Sequence, residues 1–365
     1  MALIKLLLML SLVCTLPLLC KFYFKRELNW LEVGVNISVV LLAVTALWYA
    51  GKYSQMAATE ILNGQVTGKD SVRVQCSHSY ACNCRTVRDG DNSSHEECDT
   101  CYLHAYDVDW RVYTTVGTFY INRVDSQGVV TPPRWKIAHA GDPASVEHTY
   151  LNYLRAMPGS IYQITQKGDA ALPPVPNYPR VYDYYRINRV LTVGKMPQLD
   201  QRRWNQELSM ALRMLGPKKQ VNVILLLVAN PDPMYRYKVE AAWQGANKND
   251  VVVFLGAPDG HTIAWTDVMS FAHNKGNEMF ILQLKRGLKN LGTLNDSTAV
   301  VTTITKHIEA EYTRPQMADF EYLKGAIEPP FWFQLFCLLC GLALSVGLAI
   351  YFSRADIDLR WPPRY

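Results

Sequence analysis

Two uninterrupted apolar runs lie near the two ends of the chain: Leu31–Gly51 (LEVGVNISVVLLAVTALWYAG) and Phe331–Ser353 (FWFQLFCLLCGLALSVGLAIYFS). Roughly 20 apolar residues, at about 1.5 Å per residue in a helix, cross the ~30 Å hydrocarbon layer of a bilayer. The first run carries one charge, Glu32, near its start, and the second carries none. Aromatic residues (Trp48, Tyr49, Phe331, Trp332, Phe333, Tyr351) stand at their ends, where amphipathic rings favour the headgroup zone. A chain built this way is expected to be held in a membrane, with everything between the two runs on one side of it.

Lysine and arginine decide which side. Lys21, Lys25 and Arg26 precede the first run, and only Lys52 follows it closely. Arg354, Arg360 and Arg364 follow the last run, whereas Lys324 before it is flanked by Glu321 and Glu328. Basic residues stay on the cytoplasmic side, so each run independently places residues 52–330 outside the cytoplasm. In a bacterial or phage-encoded protein that is the periplasm. A shorter apolar segment, Leu6–Cys20, follows Lys5 and contains Pro17. We read it as a short membrane helix forming a hairpin around the basic loop 21–30, for two or three transmembrane helices in all. A signal-peptide core or an interfacial helix is the alternative, and no small-x-small cleavage site follows the segment.

About 280 residues lie between the long runs, enough for one large domain or two small ones. The net charge of +5 is scattered. No basic helix or aromatic–basic interleave is present, so nucleic acid is not an expected partner. The stretch Leu172–Pro179 (LPPVPNYP) is held extended by its prolines and reads as a linker. The expected organisation is N-terminal membrane segments at 1–51, a cysteine-rich and strand-rich subdomain at 52–170 and a Pro/Tyr-rich linker at 171–194. An α/β subdomain at 195–330, a transmembrane helix at 331–353 and a cytoplasmic tail at 354–365 follow.

Four of the nine cysteines (Cys14, Cys20, Cys337, Cys340) fall in or beside the apolar segments, where they serve as small apolar residues. The other five are Cys76, Cys82, Cys84, Cys98 and Cys101, with His78, His95 and His104 among them and a polar Asp89–Ser94 loop between. Outside the cytoplasm thiols oxidise, so Cys82, Cys84, Cys98 and Cys101 are expected to form two disulfides that staple a loop-rich unit, with no cofactor. The same CxC…CxxC spacing with a nearby histidine also suits tetrahedral zinc, and a redox-active CxxC is a third reading. In the disulfide reading Cys82 and Cys84 pair with Cys98 and Cys101, because a bridge across one residue is badly strained. Cys76 is then the odd thiol, free or paired between chains.

Asp107–Val124 is rich in β-branched and aromatic residues and reads as a strand ending in the turn Asp125–Gly128, with Val129 and Val130 starting a return. Asp107 and Asp109 at its entrance could be drawn with His104 as a metal or acid–base cluster, but alternating acidic residues at the entrance to a strand read first as its solvent face. Asp142 followed by Pro143 predicts a helix over Ala144–Ala156. Asp200 caps a helix with Trp204, Leu208, Leu212 and Leu215 at helical spacing, ended by Gly216-Pro217. Val221–Val228 and Val251–Leu255 are apolar without alternation, as central strands buried on both faces require. A helix at Tyr235–Gln244 separates them. Pro258-Asp259-Gly260 is a tight turn with Thr262–Trp265 as hairpin partner, and helices follow at Met279–Leu291 and Ala299–Tyr312. The fold class is therefore an α/β ectodomain, a partly parallel sheet covered by helices, with a Cys-rich β subdomain and a membrane anchor.

Over residues 195–315 this order resembles the TPM domain, a small α/β module of membrane proteins. Trp243, Gly245 and Asn247-Lys248-Asn249-Asp250 ahead of Val251-Val252-Val253 carry the likeness. Val251 stands where the family usually has Gly, and Asp259-Gly260 where its hairpin has Asp-Arg. The resemblance implies a membrane-anchored module that acts in assembly or repair of complexes, with phosphatase activity linked to some members. The whole layout, including Tyr182–Tyr185, is similar to uncharacterised membrane proteins of bacteria and large phages.

No GxSxG, HExxH, P-loop or GxGxxG motif is present, which leaves few enzyme classes in view. Gly256–His261 reads as a turn rather than a phosphate loop. His139, His148, His273 and His307 are isolated. Asp250 and Asp259 are expected at the same end of adjacent strands, where α/β folds place sites, and form the one candidate cation or phosphate site. The sequons at Asn92 and Asn295 matter only in a eukaryotic setting. The expected function is binding or assembly of another membrane or envelope component, with the lipid bilayer and a membrane protein as partners. A metal-dependent phosphatase using Asp250 and Asp259 is the alternative.

Overall fold

The computed structural model describes residues 2–23, 28–88, 94–160, 171–182, 186–271 and 276–355. Lys25 and Arg26, the Asp89–Ser93 part of the polar loop with the Asn92 sequon, Asp183–Tyr185, His273 and the tail beyond Ala355 lie outside them. In chain order the elements are α1 Ala2–Tyr23, α2 Trp30–Met56, β1 Ala57–Val74, β2 Ser79–Arg88, β3 Ser94–Tyr102, β4 Asp107–Thr114, β5 Gly117–Ile121 and α3 Pro133–Ile137. Next come β6 Pro143–Leu151, α4 Tyr153–Ala156, β7 Val190–Val193, α5 Gln201–Lys219, β8 Asn222–Val228, α6 Tyr235–Ala242 and β9 Asp250–Gly256. The chain continues through β10 Trp265–Ser270, α7 Glu278–Leu291, α8 Ser297–Glu311, a 3-10 segment Met317–Gly325 and α9 Phe331–Ala355.

These elements fall into two compact units, one of Met1–Thr59, Thr149–Gln166 and Gln316–Tyr365, the other of Glu60–His148 and Lys167–Pro315. In the first unit, α1, α2 and α9 are each long and apolar enough to cross a membrane. They pack through Val13, Val40 and Val44 against Leu338 and Leu342. A Cβ on Gly341 would lie 2.7 Å from Val44, and small residues of this kind let apolar helices approach closely. Lys5 pairs with Glu328 at one end of the bundle, and Leu28 packs with Ala349 and Phe352 at the other. Leu7, Leu42, Phe336 and Leu339 face outward, exposed. An outer surface of that composition suits lipid rather than water.

The second unit holds the α/β layers. Its central sheet has the order β10–β9–β8–β7, with β7, β8 and β9 parallel and β10 antiparallel at the edge. Val223, Leu225, Leu227, Val251, Val253 and Leu255 face α5, α7 and α8. Ile224, Leu226, Val228, Val252 and Phe254 face Tyr235, Val239 and Trp243. Successive residues of a strand point to opposite faces, so a sheet covered on both faces needs no polar alternation. That is why the two runs read as solidly apolar.

Three expectations in this unit are corrected. The strand expected over Asp107–Val124 is broken into a hairpin, β4 and β5, joined at Thr115-Val116. Asp125 accepts the backbone N–H groups of Gly128, Val129 and Val130, so the last two turn rather than start a strand. The helix expected over Ala144–Ala156 is instead β6 followed by the single turn α4. The Asp142 carboxylate turns back to the His139 N–H instead of capping forward, and β6 joins the sheet β5–β4–β1–β6. Finally, the Pro-rich stretch is not a free linker. Leu172, Val175 and Tyr178 pack on the α6 side of the central sheet. Lys238, Tyr235 and Trp243 donate to the carbonyls of Leu172, Pro174 and Pro176.

Two boundaries also move. α5 continues through Gly216-Pro217 to Lys219, and Gln220 at φ +50° closes it through a bond to the Gly216 carbonyl. The hairpin partner of β9 starts at Trp265, while Thr262 forms an isolated bridge with Thr293. Gly216 has its own reason: a Cβ there would lie 2.1 Å from the Asn63 carbonyl oxygen. Gly216→Ala is expected to destabilise this unit by about 1–3 kcal/mol through overpacking. A thermal melt in detergent unchanged from wild type would show that β1 and α5 do not approach this closely.

Candidate functional site

Strands β2 and β3 form a separate two-stranded sheet, whose β2 residues are mostly exposed. An isolated two-stranded hairpin is marginal in water, and this one is held covalently. Cys82 is joined to Cys101 and Cys84 to Cys98. The register explains the pairing. Cys82 stands opposite Asp99 and Arg85 opposite Glu97, so Asn83 and Cys84 share one partner position at a bulge. Asn83 takes φ +48° there, a left-handed conformation that asparagine tolerates. The bulge brings Cys84 to Cys98, at 4.0 Å between Cα atoms, and leaves Cys82 diagonal to Cys101, at 5.8 Å. With loops of 14 and 19 residues, each bridge is expected to contribute roughly 2–4 kcal/mol by restricting the unfolded chain. Thiol counting on unreduced, denatured protein should find five free sulfurs, those of Cys14, Cys20, Cys76, Cys337 and Cys340. Nine would remove the bridges.

At the root of the hairpin the chain behaves differently from the expected solvent face. Asp107, the first residue of β4, is fully buried. Its Oδ2 accepts the Ser77 N–H at 2.9 Å, the Ser77 hydroxyl at 3.0 Å and Arg123 Nη1 at 2.6 Å. Arg123 also holds Asp109 at 2.7 Å. The Ser77 N–H first, then Arg123 and the Ser77 hydroxyl, hold the Asp107 carboxyl well below the ordinary carboxylate range against the opposing effect of burial, so it is ionised at neutral pH. Its other oxygen, Oδ1, lies 3.3 Å from His104 Nδ1. Cys76, buried rather than available to another chain, places its Sγ 3.7 Å from the same nitrogen. The signal was visible as Cys76-x-His78 and His104-x-x-Asp107 bracketing the hairpin, but only strand pairing brings the two halves together.

Asp250 and Asp259 are not brought together. Asp250 is the first residue of β9 and Asp259 lies in the turn after its last, Gly256, and seven strand residues span about 20 Å. Asp250 is buried and accepts Tyr178 Oη at 2.8 Å, Asn222 Nδ2 at 2.9 Å and the Asn247 N–H at 2.8 Å. Asn222 in turn meets Arg189, whose guanidinium also reaches Asn63, Ser145 and Ser209. Burial pushes Arg189 down to about 9. Sequence reasoning missed this polar core, since isolated asparagines carry no pattern. Asp259 is exposed and closes its own turn: the His261 N–H first, with Thr262, lowers it to about 2. One carboxylate organises a core and the other a turn, and a cation cannot bridge them. A groove of about 550 Å³ is lined by Asp142, Arg186, Asn188, Arg202, Asn205 and Ser209.

The class defined by these features is a mixed α/β protein with three helices long and apolar enough to cross a membrane and a hairpin stapled by two disulfides. Comparison with family models, curated proteins and solved structures gave no match for this chain.

Proposed function

We propose that the chain is a membrane-anchored extracytoplasmic protein that binds or helps assemble another membrane or envelope component, and that the β2–β3 hairpin is its recognition arm. The hairpin itself carries this reading. It displays Tyr80, Tyr102 and Leu103 to solvent at 53%, 44% and 61% exposure, on a frame fixed by two bridges. Ordering costs oppose association, so large side chains on a constrained frame favour it. Bridges of this kind persist outside the cytoplasm, in keeping with the side that the lysine and arginine placement gives residues 52–330. The likeness to TPM domains over residues 195–315 points to the same role in assembly.

A photo-crosslinking residue at Tyr80, activated in native membranes, should yield a discrete adduct. The same residue at Met214, exposed on α5, should yield none. Adducts from Met214 with none from Tyr80 would move recognition to the helical layer.

A further inference from the structure

We propose that Cys76, His78, His104 and Asp107 form a binding site for one zinc ion at the root of the hairpin. This goes beyond partner binding and stands whether or not the hairpin has a partner.

The four side chains offer one sulfur, two imidazole nitrogens and one carboxylate oxygen, all lying within 4.8 Å of one another. Zinc takes such ligands at about 2.0–2.3 Å, which in a tetrahedron sets donors about 3.3–3.6 Å apart. Here Cys76 Sγ is 3.7 Å from His104 Nδ1 and His104 Nδ1 is 3.3 Å from Asp107 Oδ1, while His78 Nδ1 stands 3.9 Å from the other oxygen of the same carboxylate, Oδ2. His104 Nδ1 faces a sulfur and a carboxylate together; without a metal its proton serves only one of them, and the Cys76 thiol is directed to the His78 carbonyl at 3.6 Å. A cation between them satisfies both.

Charge and support agree with the distances. A Cys76 thiolate and the Asp107 carboxylate neutralise a divalent ion, while Arg123 is balanced by Asp109 at 2.7 Å. Ser77 and Arg123 hold Asp107 Oδ2 and leave Oδ1 for coordination, the outer-shell orientation that metal-binding carboxylates show. The mixed S, N and O set favours zinc over hard cations. The compartment favours it too: the other four cysteines of this region are in bridges, and Cys76 alone is reduced and shielded. His78 and His104 sit at the two feet of the hairpin, where the Leu103 N–H donates to the His78 carbonyl at 3.0 Å, so the ion would clamp both feet.

The test uses the full-length protein in detergent with its bridges intact, stripped by a chelator and titrated with cobalt(II). One equivalent should produce a thiolate-to-cobalt charge-transfer band, and zinc should displace it. Cys76→Ser should remove the band. His78→Asn, a change at a half-exposed side chain that leaves the core intact, should weaken cobalt binding at least about tenfold, as loss of a metal-site contact does. A folded wild-type protein without the band, a band that survives Cys76→Ser, or affinity unchanged in His78→Asn would each overturn the site. The last of these would mean an adventitious ion only.

Discussion

Leu226→Asp is expected to abolish folding of the α/β unit. Leu226 is fully buried in β8, with Ile224, Val228, Phe254 and Met269 in the same cluster. The cluster holds no cation, and its Tyr235 hydroxyl and Trp243 indole N–H are already given to the Pro174 and Pro176 carbonyls. Burying a charge without a partner costs several kcal/mol even after the group protonates, which is comparable with the whole stability of a domain. The variant should fail to accumulate or should lose its cooperative melt in detergent. Wild-type expression and melting would remove β8 from the core and with it the sheet on which the rest is built.

Glu60→Ala should cost about 3–5 kcal/mol, the loss expected when one member of a buried ion cluster is removed. Glu60 is fully buried. Arg314 Nη2 binds both its oxygens at 2.6 and 2.7 Å, Lys248 Nζ lies 3.4 Å away, and His148 Nδ1 lies 3.1 Å away. Burial pushes the Lys248 ammonium down while Glu60 holds it up. Removing Glu60 takes a buried anion from Arg314 and Lys248 together. Denaturant unfolding checks this, and a loss below about 1 kcal/mol, the range of exposed pairs, would place the cluster in solvent.

The parts of the fold legible in the sequence are those whose cause is local. Asp200 caps α5 by accepting the N–H groups of Arg202 and Arg203, and Trp204, Leu208, Leu212 and Leu215 bury the face their spacing predicts. β8 and β9 were visible because burial on both faces leaves no room for polar residues. What stayed hidden depends on residues far apart in the chain. β6 carries an Asp-Pro start that also suits a helix, and only its place beside β1 decides for strand. The Pro-rich stretch has no pattern of its own, yet α6 and Trp243 hold it by three hydrogen bonds. Asp107 looked like a strand's solvent face because Ser77 and Arg123, which enclose it, lie 30 and 16 positions away. The cysteine pairing sits between these cases. Spacing limited it to cross-strand bridges, and the bulge at Asn83-Cys84 chose among them.

The side of the membrane on which the stapled hairpin lies tests the account most directly. A compartment-sensitive reporter fused after Gly128 should be active only outside the cytoplasm, and one fused after Arg354 only inside. The reverse pattern would put the hairpin in a reducing compartment, where its bridges do not persist, and would contradict the proposed extracytoplasmic function.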